Sequence, residues 1–238
     1  MKNWIILFSF FCIACGNNTT KENTEFPLEV GDLLFQDLDS SPLCDAIELV
    51  TPGYKNGNFS HIGIIIEGGI PFCTNPDRRF EEKYFYNLNE EFKVLEALPG
   101  GVQITSLDTF LMRSSDYNNN PKVIVGRLIK KNTIPEAIQF CKKQIGVDYD
   151  KEFILDNNQY YCSELIYEAF LKDSIFKLQP MTFLHPETKD TLETWKNYYS
   201  NLGVEIPQNK LGINPGIMSL SDKIEIVHRY GFPDGMKK

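Results

Sequence analysis

Apart from one stretch at its start, the sequence has no long hydrophobic run, and that stretch, Trp4 to Gly16, is too short to span a bilayer stably. It also has no basic block. Lys and Arg number 24 against 32 Asp and Glu, for a formal charge of -8. With no phosphate-cradling glycine loop to offset that charge, a nucleic-acid partner is not expected. Zinc-finger spacing is missing, and there is no internal repeat or low-complexity segment beyond Asn118-Asn119-Asn120. Histidine is scarce, with three in 238 residues, so each can be weighed individually. Hydrophobic residues make up 42%, which is ample for one domain and short for two.

The N-terminus has a short basic start, then Trp4 to Phe11, then Cys12-Ile13-Ala14-Cys15-Gly16. It resembles a bacterial lipoprotein signal, with cleavage after Ala14 and lipid on Cys15. Cys12 departs from the leucine usual there, whereas Gly16 fits outer-membrane sorting in common Gram-negative bacteria. The expected organisation is a signal over 1–14, a tether over 15–26 and a single domain over 27–238. Cys12 and Cys15 lie inside the apolar leader without fold context, so they are not read as a redox pair.

The remaining cysteines are Cys44, Cys73, Cys141 and Cys162. If Cys162 is a free thiol, the other three are an odd set, which argues against a disulfide-stapled scaffold. Segments 33–35, 59–68, 92–97, 122–129 and 223–228 read as strands from their apolar runs and flanking turn residues. Helices are expected over 41–50 and from Pro135 through Ile145. The second has a capping box from Thr133 to Glu136 and places Cys141 on its apolar face. Val102 to Phe110 reads as strand then turn, and Leu211 to Met218 as loop. The Gly69 to Glu91 stretch, with Arg78-Arg79, reads as an irregular excursion.

In the strand over 59–68, alternation sets Ile62, Ile64 and Ile66 on one face and His61, Gly63 and Ile65 on the other. Glu96 shares a face with Phe92 and Val94, where a carboxylate is costly to bury without a donor; an imidazole would serve. In Tyr160-Tyr161-Cys162-Ser163-Glu164-Leu165, apolar residues recur at helical spacing after Cys162 and place it in a first helical turn. There unpaired amides and the dipole favour a thiolate. Each residue also has a plainer reading: a core cysteine, a satisfied strand-edge histidine, an exposed glutamate. His185, in a loop before Pro186, and His228, at a strand end, are weak candidates.

Taken in order, Gly31-Asp32-Leu33-Leu34-Phe35, Phe59-Ser60-His61-Ile62-Gly63-Ile64, Val94-Leu95-Glu96-Ala97 and Tyr160-Tyr161-Cys162-Ser163-Glu164-Leu165 resemble the permuted papain-like amidases of the YiiX/YaeF-like group, related to the NlpC/P60 peptidases. The resemblance implies an α+β fold with a mainly antiparallel sheet against the cysteine helix. It makes Cys162 the nucleophile, His61 the base and Glu96 the residue orienting the base. The Cys162 backbone N–H becomes an oxyanion donor, with Tyr161 and Gly63 beside the substrate. The expected activity is a cysteine-dependent amidase or peptidase working through an acyl-cysteine on cell-wall peptides or N-acyl amides. An acyltransferase or thioesterase with the same triad and a non-catalytic binding lipoprotein are the alternatives. The expected partners are a small amide-, peptide- or acyl-containing substrate and, through the lipid anchor, the membrane of the bacterial cell envelope. One histidine, one cysteine and one glutamate at long, unrelated spacings make no ligand ladder, so no metal or cofactor is expected.

Overall fold

The structure, a computed structural model, describes residues 26–68 and 92–238. The signal, Cys15, almost all of the tether and the Gly69 to Glu91 excursion lie outside the described residues, so those readings meet no structural observation.

The elements in chain order are β1 (Leu33–Gln36), α1 (Pro42–Val50), β2 (His61–Glu67), β3 (Lys93–Leu98), β4 (Gly101–Ser106), α2 (Leu107–Leu111), β5 (Val123–Leu128), α3 (Ile134–Lys143), α4 (Cys162–Ala169), β6 (Gln179–Pro180), α5 (Glu193–Leu202), β7 (Leu211–Gly212), α6 (Pro215–Met218) and β8 (Ile224–Arg229). The main sheet runs β4-β3-β2-β1-β5-β8, with every neighbouring pair antiparallel. The tightest connection is the β3–β4 hairpin, in which Leu98 faces Gly101 across Pro99-Gly100. Both glycines sit at positive φ, 134° and 104°, which side chains rarely adopt.

Both faces of the sheet are buried, so its strands read as near-continuous apolar runs. Leu33, Phe35, Ile62, Ile64, Leu95 and Ile124 pack with Leu165 and Ile166 of α4 and with Phe170 just after it. On the other face Leu34, Ile65, Val94, Val123 and Val125 pack with Phe110 of α2. Each such side chain contributes roughly 1.5–3 kcal/mol by leaving water. The fold is the expected α+β arrangement with the cysteine helix against the sheet, α4 lying on β2 and β3.

Three local expectations change. Val102 to Phe110 is a strand followed by α2 rather than by a turn; Ser106 caps that helix by accepting from the Thr109 amide at 3.2 Å. Leu211 to Met218 is not loop, because Leu211 and Gly212 pair with Pro180 and Gln179, and Asn214 caps α6 through the Ile217 amide at 2.9 Å. The Thr133 capping box does not form. At φ −87°, ψ −19° its backbone is already helical, whereas a cap needs an extended residue to aim its oxygen at the helix amides.

Candidate active site

Cys162 is the first residue of α4 and follows Tyr161, whose backbone is extended at φ −88°, ψ 168°. Glu164 turns back to accept from the Tyr161 amide at 3.4 Å, which fixes the helix start. The first-turn position leaves the Cys162 amide without a partner inside the helix. Its Sγ is 3.8 Å from the carbonyl oxygen of Ser60, the residue just before β2.

His61 opens β2, and the pairing of Ile64 with Leu95 puts Glu96 of β3 on the same face as His61. The imidazole Nε2 lies 2.7 Å from Glu96 Oε2, and His61 also hydrogen-bonds to Cys162. The structure therefore brings the three residues named from sequence into one chain of contacts.

Sequence reasoning missed the fourth member, Arg113. Its guanidinium grips Glu96 with both nitrogens, Nη1 to Oε2 at 2.6 Å and Nη2 to Oε1 at 2.5 Å. This fork accounts for a carboxylate with no exposed surface. Burial alone would raise the Glu96 pKa, but the bonds from Arg113 and His61 outweigh it and bring it to about 2. Burial likewise lowers that of His61, and the bonds to Cys162 and Glu96 outweigh it, giving about 9. The imidazole is thus held as a cation between a carboxylate and a sulfur, a state from which it can deliver a proton toward the cysteine side.

Above Cys162 lies a cavity of about 270 Å³. Among its walls are Tyr149, Phe153, Tyr161, Met181 and Trp195, and none of the described residues that line it is charged. Gly212 to Pro215 closes one side, held where Tyr161 Oη accepts from the Ile213 amide at 3.3 Å and Ser163 Oγ donates to the Ile213 carbonyl at 3.0 Å. Tyr161 lines the cavity as expected, and Gly63 does not. A side chain at Gly63 would meet Val94 at 2.5 Å and Phe110 at 3.0 Å, so this glycine serves packing on the opposite side. His185 accepts from the amides of Glu187 and Thr188 in its own turn, and His228 stacks on Phe26 at 4.4 Å; neither approaches the cavity. Cys44, Cys141 and Cys162 are free thiols, and burial pushes Cys141 up to about 12.

A papain-like cysteine–histidine–carboxylate constellation on a permuted sheet is the class that fold and site define. Residues 27–228 match the permuted papain-like amidase enzymes of the YaeF/YiiX, C92 family, and the chain belongs to that family. Among solved structures it is similar to the crystal structure of metalloprotein yiiX from Escherichia coli O157:H7, at 20% identity and a TM-score of 0.64, covering 87% of this chain and all of that one. No curated protein matches the sequence.

Two findings overturn the expectation of a cysteine-dependent hydrolase, and the description as a thiol protease falls with it. The similar solved structure is described as a metalloprotein. Asp37, Asp39 and Asp234 also gather ligand oxygens within 4.8 Å of one another, a grouping the sequence reading did not find. The alternatives built on the same triad and the non-catalytic alternative gain nothing from either finding. What stands is the family: a permuted papain-like amidase, for which a small amide-, peptide- or acyl-type substrate fits. The Asp grouping fits a metal poorly as its side chains stand, because Lys122 Nζ lies 3.2, 2.6 and 3.1 Å from Asp37, Asp39 and Asp234. Nor is Glu96 an open ligand, since Arg113 and His61 take its oxygens.

Proposed function

We propose that this chain is an amidase that acts on an uncharged, largely apolar acyl- or peptide-type substrate seated in the cavity above Cys162. The single observation that carries this reading is a cavity with Cys162 in its wall and, among the described residues, no charged one around it. An ionised substrate group would lose its water there without gaining a counter-charge. Under this reading Cys162 borders the reacting amide and the His61–Glu96 pair handles its proton, with no acyl-cysteine intermediate. The Cys162 amide, at a helix start, faces the charge that develops on the substrate oxygen, and Tyr161 borders the acyl group. His61 moves the proton to the departing amine, while Glu96, fixed by Arg113, keeps the ring in register.

The test is turnover of a panel of neutral N-acyl amides, acidic N-acyl amino acids and charged cell-wall peptides, followed by mass spectrometry with and without a chelator. Neutral amides with apolar acyl groups are expected to be cleaved well ahead of the charged peptides, with turnover lost in His61→Ala. Cleavage of charged peptides alone, or cleavage indifferent to His61→Ala, would sink the reading.

The leader supports a second part: export to the cell envelope with lipid on Cys15. Metabolic labelling with an alkyne fatty acid should mark the full chain and fail to mark Cys15→Ala. Label retained by that variant would remove the anchor.

A further inference from the structure

The acidic grouping lies apart from the cavity, and none of its members lines it. Asp37 follows β1, Lys122 precedes β5, and Asp234 belongs to the C-terminal segment. Backbone and side chain join these places twice over. The Asp37 amide donates to the Lys122 carbonyl at 3.0 Å, and the Asp234 amide donates to Asp37 Oδ2 at 2.7 Å. The Lys122 ammonium then bonds Asp39 Oδ1 at 2.6 Å and Asp234 Oδ2 at 3.1 Å. Its side chain is 3% exposed, and that of Asp37 is fully buried.

We infer that Lys122 is the resident cation of this grouping, and that the four residues form a clasp fastening the C-terminal segment to the sheet and keeping divalent ions out. Three carboxylates within ligand reach of one another need a positive charge among them, and an ammonium with three donors meets that need. A divalent ion would have to take the same oxygens at about 2.0–2.6 Å. It would meet the ammonium head-on, and among the described residues buried Lys122 pairs with no carboxylate outside the grouping. Burial by itself would lower the Lys122 pKa, but its bonds and proximity to the carboxylates more than reverse that, so the ammonium keeps its charge at neutral pH. Asp37 Oδ1 is buried without a hydrogen-bond partner, so one carboxylate oxygen is left over rather than an open coordination shell.

The test is calorimetric titration of the full chain with Mn²⁺, Ca²⁺ and Zn²⁺ separately, alongside hydrogen exchange of residues 231–237. Three proteins are compared: wild type, Lys122→Met, and Asp39→Asn with Asp234→Asn. Wild type is expected to show no saturable binding that the double Asn variant removes. Folded Lys122→Met is expected to take up one Mn²⁺ at least about tenfold more tightly than wild type, the grouping then being free to act as an oxygen site. The double Asn variant, altered only at exposed carboxylates and therefore expected to fold even if Lys122→Met does not, should exchange the Asp234 and Gly235 amides faster. Stoichiometric wild-type binding lost in the double Asn variant would overturn the proposal. So would a folded Lys122→Met that binds no better than wild type, or C-terminal exchange unchanged in the double Asn variant. None of these readings depends on amidase turnover, so the clasp and the proposed activity can fail separately.

Discussion

Two buried ionic groups hold the same sheet and differ in where they lead. In one, Glu96 is gripped by Arg113 and hydrogen-bonded to His61, which adjoins Cys162 in the wall of a cavity. In the other, Lys122 gathers Asp37, Asp39 and Asp234 and leads only to the chain's own C-terminal segment. Burial of charge is common to both, so burial by itself does not mark a reacting site. The mark is that one group ends on a titratable ring and a sulfur beside empty space, whereas the other closes on itself.

The largest effect that would break this comparison is on turnover. His61→Ala should lower amide cleavage by about 10²–10⁴-fold, the usual worth of a positioned proton carrier, while Lys122→Met, if folded, should leave the rate near wild type. Equal losses in both, measured at matched folded fractions, would erase the distinction. Next comes stability. Arg113→Met strands a fully buried carboxylate and should cost about 3–5 kcal/mol by urea unfolding. Asp39→Asn, at a side chain 55% exposed, should cost less than about 1 kcal/mol.

Between these lies pH. Glu96 has its pKa lowered from 4.5 to about 2, so its contribution is complete above pH 4.5 and is lost as pH falls toward 2. His61 has its pKa raised from 6.5 to about 9, so its contribution is complete below pH 6.5 and is lost as pH rises through 9. Unfolding free energy attributable to this pair should therefore be flat between pH 4.5 and 6.5 and decline on either side. In His61→Gln the alkaline decline should shrink; an unchanged decline would assign it elsewhere. The smallest effect is spectroscopic: Cys162→Ala removes a bond that holds the His61 proton, so the His61 titration followed by NMR should move to lower pH.

The sequence by itself determined the strands, because apolar alternation at 62, 64 and 66 has one meaning on a pleated surface, and it determined Cys162 as a helix-opening residue, because Leu165, Ile166 and Phe170 follow at helical spacing. It also singled out His61 and Glu96, through motif order and the cost of an apolar-flanked carboxylate. What only the tertiary structure decided were partnerships with no local signal. Arg113 lies 17 residues beyond Glu96, past β4 and α2, and nothing in its neighbourhood says where its guanidinium will reach. Asp37 and Asp234 are 197 residues apart and meet because the C-terminal segment returns to the end of β1, a central strand of the sheet. Likewise β6 and β7 are two-residue strands too short to show a period, and they exist only by pairing with each other. Periodicity records which face of an element is buried, whereas charge pairing depends on distance through space, and that distance is set only when the sheet has taken its strand order.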